Sequence, residues 1–207
     1  EEGPIPNPLA ASGDHHRIIR RAYGADSGYG RAITEAYDAW NELWDDLGQS
    51  HYDARGFMCV SRDPGDDAEG FLEGLKSGGW PHEVVGPDEA ALRWPFLEPN
   101  SFRYAFHSPE GGALHCRRIA RGIAEWLRAN GADIREHERV EAVDCEAETV
   151  RLAGGEVIAA DRVVVTAGAW VAKLFPDILS ELTPQRTAVV YLDPPDDLRE
   201  AWAVAPV

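Results

Sequence analysis

The residue types best suited to chemistry lie close together near the start of the chain. Residues 12–20 read Ser-Gly-Asp-His-His-Arg-Ile-Ile-Arg and combine small side chains with two imidazoles and two guanidinium groups. Small residues let a ligand approach the backbone, and arginine binds carboxylates through two parallel hydrogen bonds. In a helical turn, Arg17 and Arg20 would point to the same side. The segment therefore predicts an anion site, with a solvated surface loop as the alternative.

The same segment allows a metal-binding interpretation. Its Asp-His-His triad superficially matches the metal motif of the DHH phosphoesterases. Those enzymes need further aspartates after other strands, and the nearest pairs here, Asp45-Asp46 and Asp66-Asp67, fall in predicted helices. We therefore predict no metal site.

A second candidate site follows the apolar run Val163–Val165, which is typical of a strand buried on both faces. Ligands of open α/β sheets bind beyond the carboxyl ends of the strands. Thr166-Ala167-Gly168 supplies small side chains and backbone N–H groups where a short helix, continuing to Leu174, begins. This turn suits an anion or the edge of a cofactor. A tight strand-to-helix turn without a ligand is the alternative.

Composition excludes several classes of protein. Lys and Arg total 20 and Asp and Glu total 36, a net charge of −16, which argues against nucleic-acid binding. No apolar run approaches the roughly 20 residues of a membrane span. Three cysteines without CxxC spacing favour reduced thiols in a cytoplasmic protein. The phosphate-binding patterns GxGxxG and GxxxxGK are both lacking, so no self-contained nucleotide site is predicted.

The elements that must position these residues have a mixed α/β pattern. Apolar residues at three- and four-residue spacing predict a helix from Ser27 to Leu47, ended by Gly48, with Trp40 and Trp44 in its core face. Further helices are predicted at 66–77, from Pro87, and from about 119 to 130. Predicted strands span 56–61, 104–107, 132–136, 138–144, 148–153, 156–159, 163–165 and 187–192.

Several of these stretches together resemble a known family. SGDHHRIIRRAYG, at 12–24, is similar to the segment after the second strand of the FAD-dependent amine oxidoreductases of the D-amino acid oxidase group, the sarcosine oxidases above all. The order of later features agrees: the Trp-rich helix, RWPFLEPN, PEGGALH, ERVEAVD and ADRVVVTAGAW.

The resemblance implies an FAD enzyme with specific residue roles. It would transfer hydride from a C–H bond next to an amine nitrogen to FAD, followed by imine hydrolysis and reduction of oxygen to peroxide. Arg17 would be catalytic, lying against the flavin, and Arg20 would bind the carboxylate of a sarcosine-like amino acid. Arg17, Arg20 and Arg21 would form a local positive patch. The residues implied to contact FAD are Ser12, Gly13, Asp14, His15, His16, Arg17, Val140, Thr166, Ala167, Gly168 and Trp170.

The resemblance also implies a fold with missing parts. We expect a partial FAD-binding Rossmann-like domain plus part of an antiparallel-sheet substrate domain, as in an internal piece of a longer protein. The implied segments are flavin-contacting (1–24), helical and substrate-domain (25–110), FAD-domain (111–176) and the start of a second substrate-domain portion (177–207). A non-catalytic fragment or scaffold that cannot bind FAD alone is the alternative. We expect an unpaired apolar edge beside 163–165, which the isolated chain would cover by forming a homodimer or which would make it prone to aggregation.

Two residues depart from the pattern of the sarcosine oxidases. Those proteins have His where Gly13 stands and Thr where His16 stands. Because of these two differences, the resemblance defines the substrate only by its class, an amine or amino acid similar to sarcosine.

Overall fold

The computed structural model describes residues 1–24, 27–185 and 188–207. The strands are β1 (Arg17–Arg20), β2 (Tyr52–Asp53), β3 (Phe57–Ser61), β4 (Glu83–Val85), β5 (Tyr104–Ser108), β6 (Gly111–Leu114), β7 (Val140–Asp144), β8 (Thr149–Leu152) and β9 (Val157–Ala159). The α-helices are α1 (Ser27–Leu47), α2 (Asp67–Ser77), α3 (Pro87–Arg93), α4 (Cys116–Ala129), α5 (Val171–Leu174) and α6 (Arg199–Ala203). The predicted mixed α/β class is confirmed, and the sheets are antiparallel.

The chain divides into two compact units. Unit 1 comprises residues 1–14 and 120–191, and unit 2 comprises residues 15–119 and 192–207. Unit 2 holds the sheets β1-β6-β2 and β3-β5-β4, and unit 1 holds the sheet β7-β8-β9.

The sheet β3-β5-β4 forms the core of unit 2. Successive side chains on a strand point to opposite faces, so the sheet has two apolar sides. On one face, Phe57 and Phe106 pack against the apolar side of α2. The centres of their two rings lie 6.1 Å apart. The opposite face packs Val85 and Ala105 with Trp94 at the end of α3. The predicted strands at 56–61 and 104–107 are confirmed.

The sheet β1-β6-β2 carries the arginines of the first candidate site. Arg17 lies opposite Leu114 and Arg20 opposite Gly111, so residues 17–20 form a strand and not the helical turn considered above. The isoleucines between them favour extended backbone, and pairing with β6 satisfies its hydrogen bonds. Arg17 and Arg20 therefore point to opposite faces of the strand.

Helix α1 spans the predicted residues. Ile33 is buried, and the rings of Trp40 and Trp44 stack at 5.1 Å. Both tryptophans are only half-buried, so the prediction that they form the core of this helix is right only in part. Each covers part of the other's apolar surface, because residues four apart are neighbours on a helix.

The predicted helix at 66–77 is α2, and Asp66 caps it. The Asp66 carboxylate accepts hydrogen bonds from the backbone N–H of Glu69 at 3.2 Å and of Arg62 at 2.7 Å. Such a cap satisfies backbone donors that the first turn leaves open.

Unit 1 is built on the meander β7-β8-β9. The strands predicted at 138–144, 148–153 and 156–159 are confirmed within a few residues, with Gly155 at φ 87° in the predicted turn. The strand predicted at 132–136 is wrong. These residues form an irregular segment, and the start of the chain lies beside it: the Glu1 ammonium donates to the Arg135 carbonyl at 3.0 Å and Glu138 donates to the Glu1 carbonyl at 2.9 Å.

The strands predicted at 163–165 and 187–192 are also wrong. Thr187 lies outside the described residues, and 188–192 have no strand. Val164 is 82% exposed, so the run is not buried on both faces. A strand needs a neighbour for its hydrogen bonds, and no described strand pairs with 163–165. A 3₁₀ helix follows at Gly168–Trp170 and continues into α5. The short helix predicted to continue to Leu174 is therefore confirmed.

Three further features of the described residues concern their thiols, their metal-binding side chains and the apolarity of their helices. Cys59, Cys116 and Cys145 form no disulfide. Among the described residues, no three His, Cys, Asp or Glu side chains gather as a metal ion would require. No helix in the described ranges combines the length and apolarity needed to cross a membrane.

Candidate functional site

Residues Ser12–Asp14 form a tight turn in unit 1. The Gly13 N–H donates to the Ala10 carbonyl at 2.8 Å, and Gly13 is buried. A Cβ atom at this position would lie only 2.4 Å from the Asn7 carbonyl oxygen. The turn therefore requires glycine because two backbone segments approach closely. The Asp14 carboxylate accepts a hydrogen bond from the Tyr191 hydroxyl at 3.1 Å.

The next three predicted residues, His15, His16 and Arg17, lie in unit 2 and are exposed. The Arg17 guanidinium donates to the His16 carbonyl at 3.0 Å. The backbone of Arg17 is held in place because β1 pairs with β6. This part of the segment therefore offers a positive charge at an accessible surface.

Arg20 has a more enclosed environment. Its side chain is half-buried, and its Nε donates to the Ala22 carbonyl at 3.0 Å. The guanidinium carbon lies 4.9 Å from the ring centre of Tyr23, 5.1 Å from that of Phe57 and 4.9 Å from that of Phe71. Among the described residues, no carboxylate forms an ion pair with it. The rings stabilise the cation electrostatically but leave its charge unneutralised.

Close backbone packing holds the end of the Arg20 segment in place. Gly24 has φ 76°, a left-handed conformation that suits glycine. In α2, a Cβ atom on Gly74 would lie 2.1 Å from the Gly24 carbonyl oxygen. The two glycines thus let the helix touch the backbone that follows Tyr23, and Tyr23 is one of the rings around Arg20.

Arg21, the next residue, has the carboxylate partner that Arg20 lacks. Its guanidinium forms an ion pair with Glu110 and donates to the Thr34 hydroxyl at 3.2 Å. It also lies over the rings of Trp80, at 3.8 Å, and Tyr37, at 4.5 Å. The predicted positive patch of Arg17, Arg20 and Arg21 is therefore wrong for Arg21, because Glu110 neutralises its charge.

The surroundings of Arg21 are poorly hydrated. Burial raises the pKa of the Tyr37 hydroxyl, and neighbouring Tyr52 raises it further. Burial also raises the pKa of Tyr52, whose hydroxyl donates to the Gly111 carbonyl at 2.7 Å. Both phenols are neutral at physiological pH, so Glu110 is the group that balances the charge of Arg21.

The remaining predicted contacts lie in unit 1. Thr166 and Gly168 are exposed, and Ala167 and Trp170 are half-buried. Gly168 has φ 55°, and a Cβ atom there would meet no atom within 4 Å. Val140 begins β7 opposite Leu152 and is half-buried. The loop at 166–168 thus leaves open space beside Gly168.

Two of these features, each considered within its own unit, have chemistry that FAD would require. The exposed guanidinium of Arg17 suits a flavin that becomes anionic on reduction, and the open loop at 166–168 suits the edge of a planar ring. The structure places Ser12–Asp14, Val140 and 166–170 in unit 1, and His15–Arg20 in unit 2.

A separate depression lies beside the meander of unit 1. It has a volume of about 450 Å³ and is lined by Ala142, Val143, Asp144, Cys145, Glu146, Thr149, Arg151 and Val157. None of the predicted site residues lines it.

Comparison with known proteins identifies the class. Residues 1–207 match the family DAO, described as FAD dependent oxidoreductase. The chain therefore belongs to this family of FAD-dependent oxidoreductases, as the sequence resemblance predicts.

Individual relatives are similar along most of the chain. Monomeric sarcosine oxidase from Bacillus sp. (strain B-0618) is 28% identical over 196 residues, covering 90% of this chain and 50% of that protein. N-methyl-L-tryptophan oxidase from Yersinia pestis (strain Pestoides F) is 26% identical over 189 residues, covering 86% and 49%. The chain thus spans about half the length of the curated relatives it matches.

Solved structures share the fold. NikD, an unusual amino acid oxidase essential for nikkomycin biosynthesis, superposes in its open form with a TM-score of 0.76 at 18% identity, covering 86% of this chain and 46% of that one. Glycine oxidase from Geobacillus kaustophilus gives a TM-score of 0.70 at 20% identity, covering 86% and 50%.

Proposed function

We propose that the protein to which this chain belongs oxidises an amine or amino acid with FAD, and that Arg20 binds the carboxylate of the substrate. The observation that carries this proposal is the environment of Arg20. Its half-buried guanidinium lies among three aromatic rings, and no described carboxylate balances it. A carboxylate-bearing ligand would supply the missing charge through two hydrogen bonds.

The other residues have supporting roles in this proposal. Arg17, exposed on β1, places a positive charge where it would stabilise a reduced, anionic flavin. Ser12–His16, Val140, 166–168 and Trp170 contact the cofactor. FAD, when bound, supplies the acceptor for hydride from the C–H bond next to the amine nitrogen. The segments 1–24 and 111–176 then belong to the FAD domain, and 25–110 and 177–207 to the substrate domain.

The substrate we favour is a sarcosine-like secondary or N-methyl amino acid. Relatives named monomeric sarcosine oxidase and N-methyl-L-tryptophan oxidase match along most of the chain, which supports this class. The three cysteines, none of which forms a disulfide, support a reducing, cytoplasmic location. The contiguous run of exposed apolar side chains at Val189, Val190 and Tyr191 supports a homodimer.

A second candidate function is that of a non-catalytic fragment or scaffold. The observation that favours it is the irregular course of 163–165, where no described strand pairs with the predicted buried strand. In this case the chain alone would not hold FAD.

Flavin absorption and peroxide formation test both candidates. We expect the full-length protein to purify with flavin absorption and to release peroxide with sarcosine. The 207-residue chain, mixed with FAD and desalted, reports whether this part binds the cofactor by itself. Colourless full-length protein that makes no peroxide with sarcosine, proline or glycine would contradict the enzymatic proposal. A sizing column run on the same sample tests the homodimer.

A further inference from the structure

The ion pair between Arg21 and Glu110 continues the pairing of two strands. In the ladder of β1 and β6, Ile19 lies opposite Gly112 and Arg20 opposite Gly111. The next residues along the two strands are Arg21 and Glu110. Their side chains therefore connect the strands one step beyond the last backbone pair.

Packing restricts this pair to one arrangement. The Arg21 side chain is 13% exposed and that of Glu110 is 36% exposed. Trp80 and Tyr37 cover the guanidinium, and the Thr34 hydroxyl accepts one of its hydrogen bonds. An arginine held by a carboxylate, a hydroxyl and two rings cannot change position without leaving a buried charge unpaired.

The position of Arg21 determines where its neighbour points. Because side chains alternate along extended backbone, a shift of one residue would turn Arg20 to the opposite side of the strand. The two arginines contact separate sets of rings: Tyr23, Phe57 and Phe71 for Arg20, and Tyr37 and Trp80 for Arg21. Fixing Arg21 against Glu110 therefore fixes Arg20 among its own rings.

We propose that Arg21 and Glu110 are positioning residues for carboxylate binding. Their ion pair holds the end of β1 in register with β6, so that the Arg20 guanidinium remains oriented towards the substrate carboxylate. Glu110 also balances the charge of Arg21 on the other side of the strand. This inference rests on the proposed role of Arg20.

The experiment measures carboxylate binding to the full-length protein with FAD bound. Propionate, which has a carboxylate but no amine to oxidise, is titrated by calorimetry and as an inhibitor of sarcosine oxidation. Glu110→Gln removes the charge with little change in shape. Glu83→Gln is the matched control, because Glu83 pairs with Arg93 at an exposed site of the same unit.

We expect Glu110→Gln to weaken propionate binding about tenfold and to raise KM by a similar factor, with kcat within about twofold. Glu83→Gln is expected to bind propionate like the wild type. Glu110→Asp, which keeps the charge, should recover part of the affinity. A purely structural role would lower the thermal midpoint and leave the affinity of the folded protein unchanged.

The outcomes separate this inference from the proposed function. If wild-type protein binds no propionate and oxidises no amino acid, the proposed function fails. If wild-type protein binds propionate and folded Glu110→Gln binds it equally well, the positioning role is wrong. Should Glu110→Gln not fold, the double variant Arg21→Met with Glu110→Met replaces both charges by apolar side chains of similar length. Wild-type affinity in that variant would overturn the inference.

Discussion

Arg20 and Arg21 are neighbours in sequence with opposite electrostatic situations. Both guanidinium groups lie against aromatic rings in unit 2. Arg21 pairs with Glu110 from the turn before β6, whereas no described carboxylate pairs with Arg20. The comparison teaches that residue type alone does not make a binding site. The residue across the sheet decides which arginine stabilises the fold and which can bind a ligand.

The aromatic rings explain how Arg20 is tolerated without an internal partner. Arginine is weakly hydrated and planar, so ring faces cover it at a lower desolvation cost than they would cover an ammonium group. Each cation–π contact contributes about 0.5–1 kcal/mol at exposed sites and more where water is excluded. The charge nonetheless remains, and an anionic ligand gains from it.

The largest expected effect comes from removing the charge of Arg20. In the full-length protein, Arg20→Met should weaken binding of a carboxylate substrate by roughly 1.5–3 kcal/mol, the range for hydrogen bonds to charged groups. Steady-state kinetics with sarcosine measures this as an increased KM. Arg103→Met, which removes a guanidinium paired with Glu69, is the control and should leave KM unchanged. An unchanged KM in Arg20→Met would remove Arg20 from its proposed role.

A smaller effect, on stability, is expected from Arg21. Arg21→Met leaves Glu110 without its partner, and we expect the free energy of unfolding to fall by about 1–3 kcal/mol. This is below the roughly 3–5 kcal/mol of a fully buried pair, because Glu110 is 36% exposed. Denaturant unfolding of the full-length protein measures it. A denaturant midpoint equal to that of the wild type would mean that the ion pair of Arg21 with Glu110 does not stabilise the fold.

The smallest expected effect is a pH dependence near Arg21. Burial raises the pKa of Tyr37 above its ordinary value, so the folded state keeps this proton at pH values where the unfolded chain loses it. The resulting stability is present below about pH 10 and is lost as pH rises further. Thermal midpoints between pH 8 and 11 should fall less steeply in Tyr37→Phe than in the wild type. Tyr29→Phe, at an exposed ring, should match the wild type, and equal slopes in all three proteins would contradict the prediction.

Local patterns predict the helices of this chain well. The bounds of α1 follow from apolar residues at helical spacing and from Gly48, which has φ 65°. Asp66 identifies the start of α2 for a similar local reason, because its side chain accepts the first backbone donors. Each of these signals depends on residues within a few positions of one another, so one sequence is sufficient to find them.

Features that depend on distant residues could not be predicted in the same way. The stretch at 17–20 is compatible with a turn or a strand, and β6, nearly a hundred residues later, selects the strand. The role of Glu110 was missed for the same reason, since nothing near it in sequence indicates Arg21. For 163–165, apolar residues predict a strand, but the described residues offer no strand to pair with it.

Gly13 has a consequence for exchanging residues between this protein and the sarcosine oxidases. A histidine introduced there would begin with a Cβ atom 2.4 Å from the Asn7 carbonyl oxygen and 2.8 Å from the Pro8 carbonyl. The imidazole therefore cannot be transplanted alone, because the turn at 7–13 would have to take another path first. A side chain at position 13 and the present course of the turn at 7–13 therefore exclude each other.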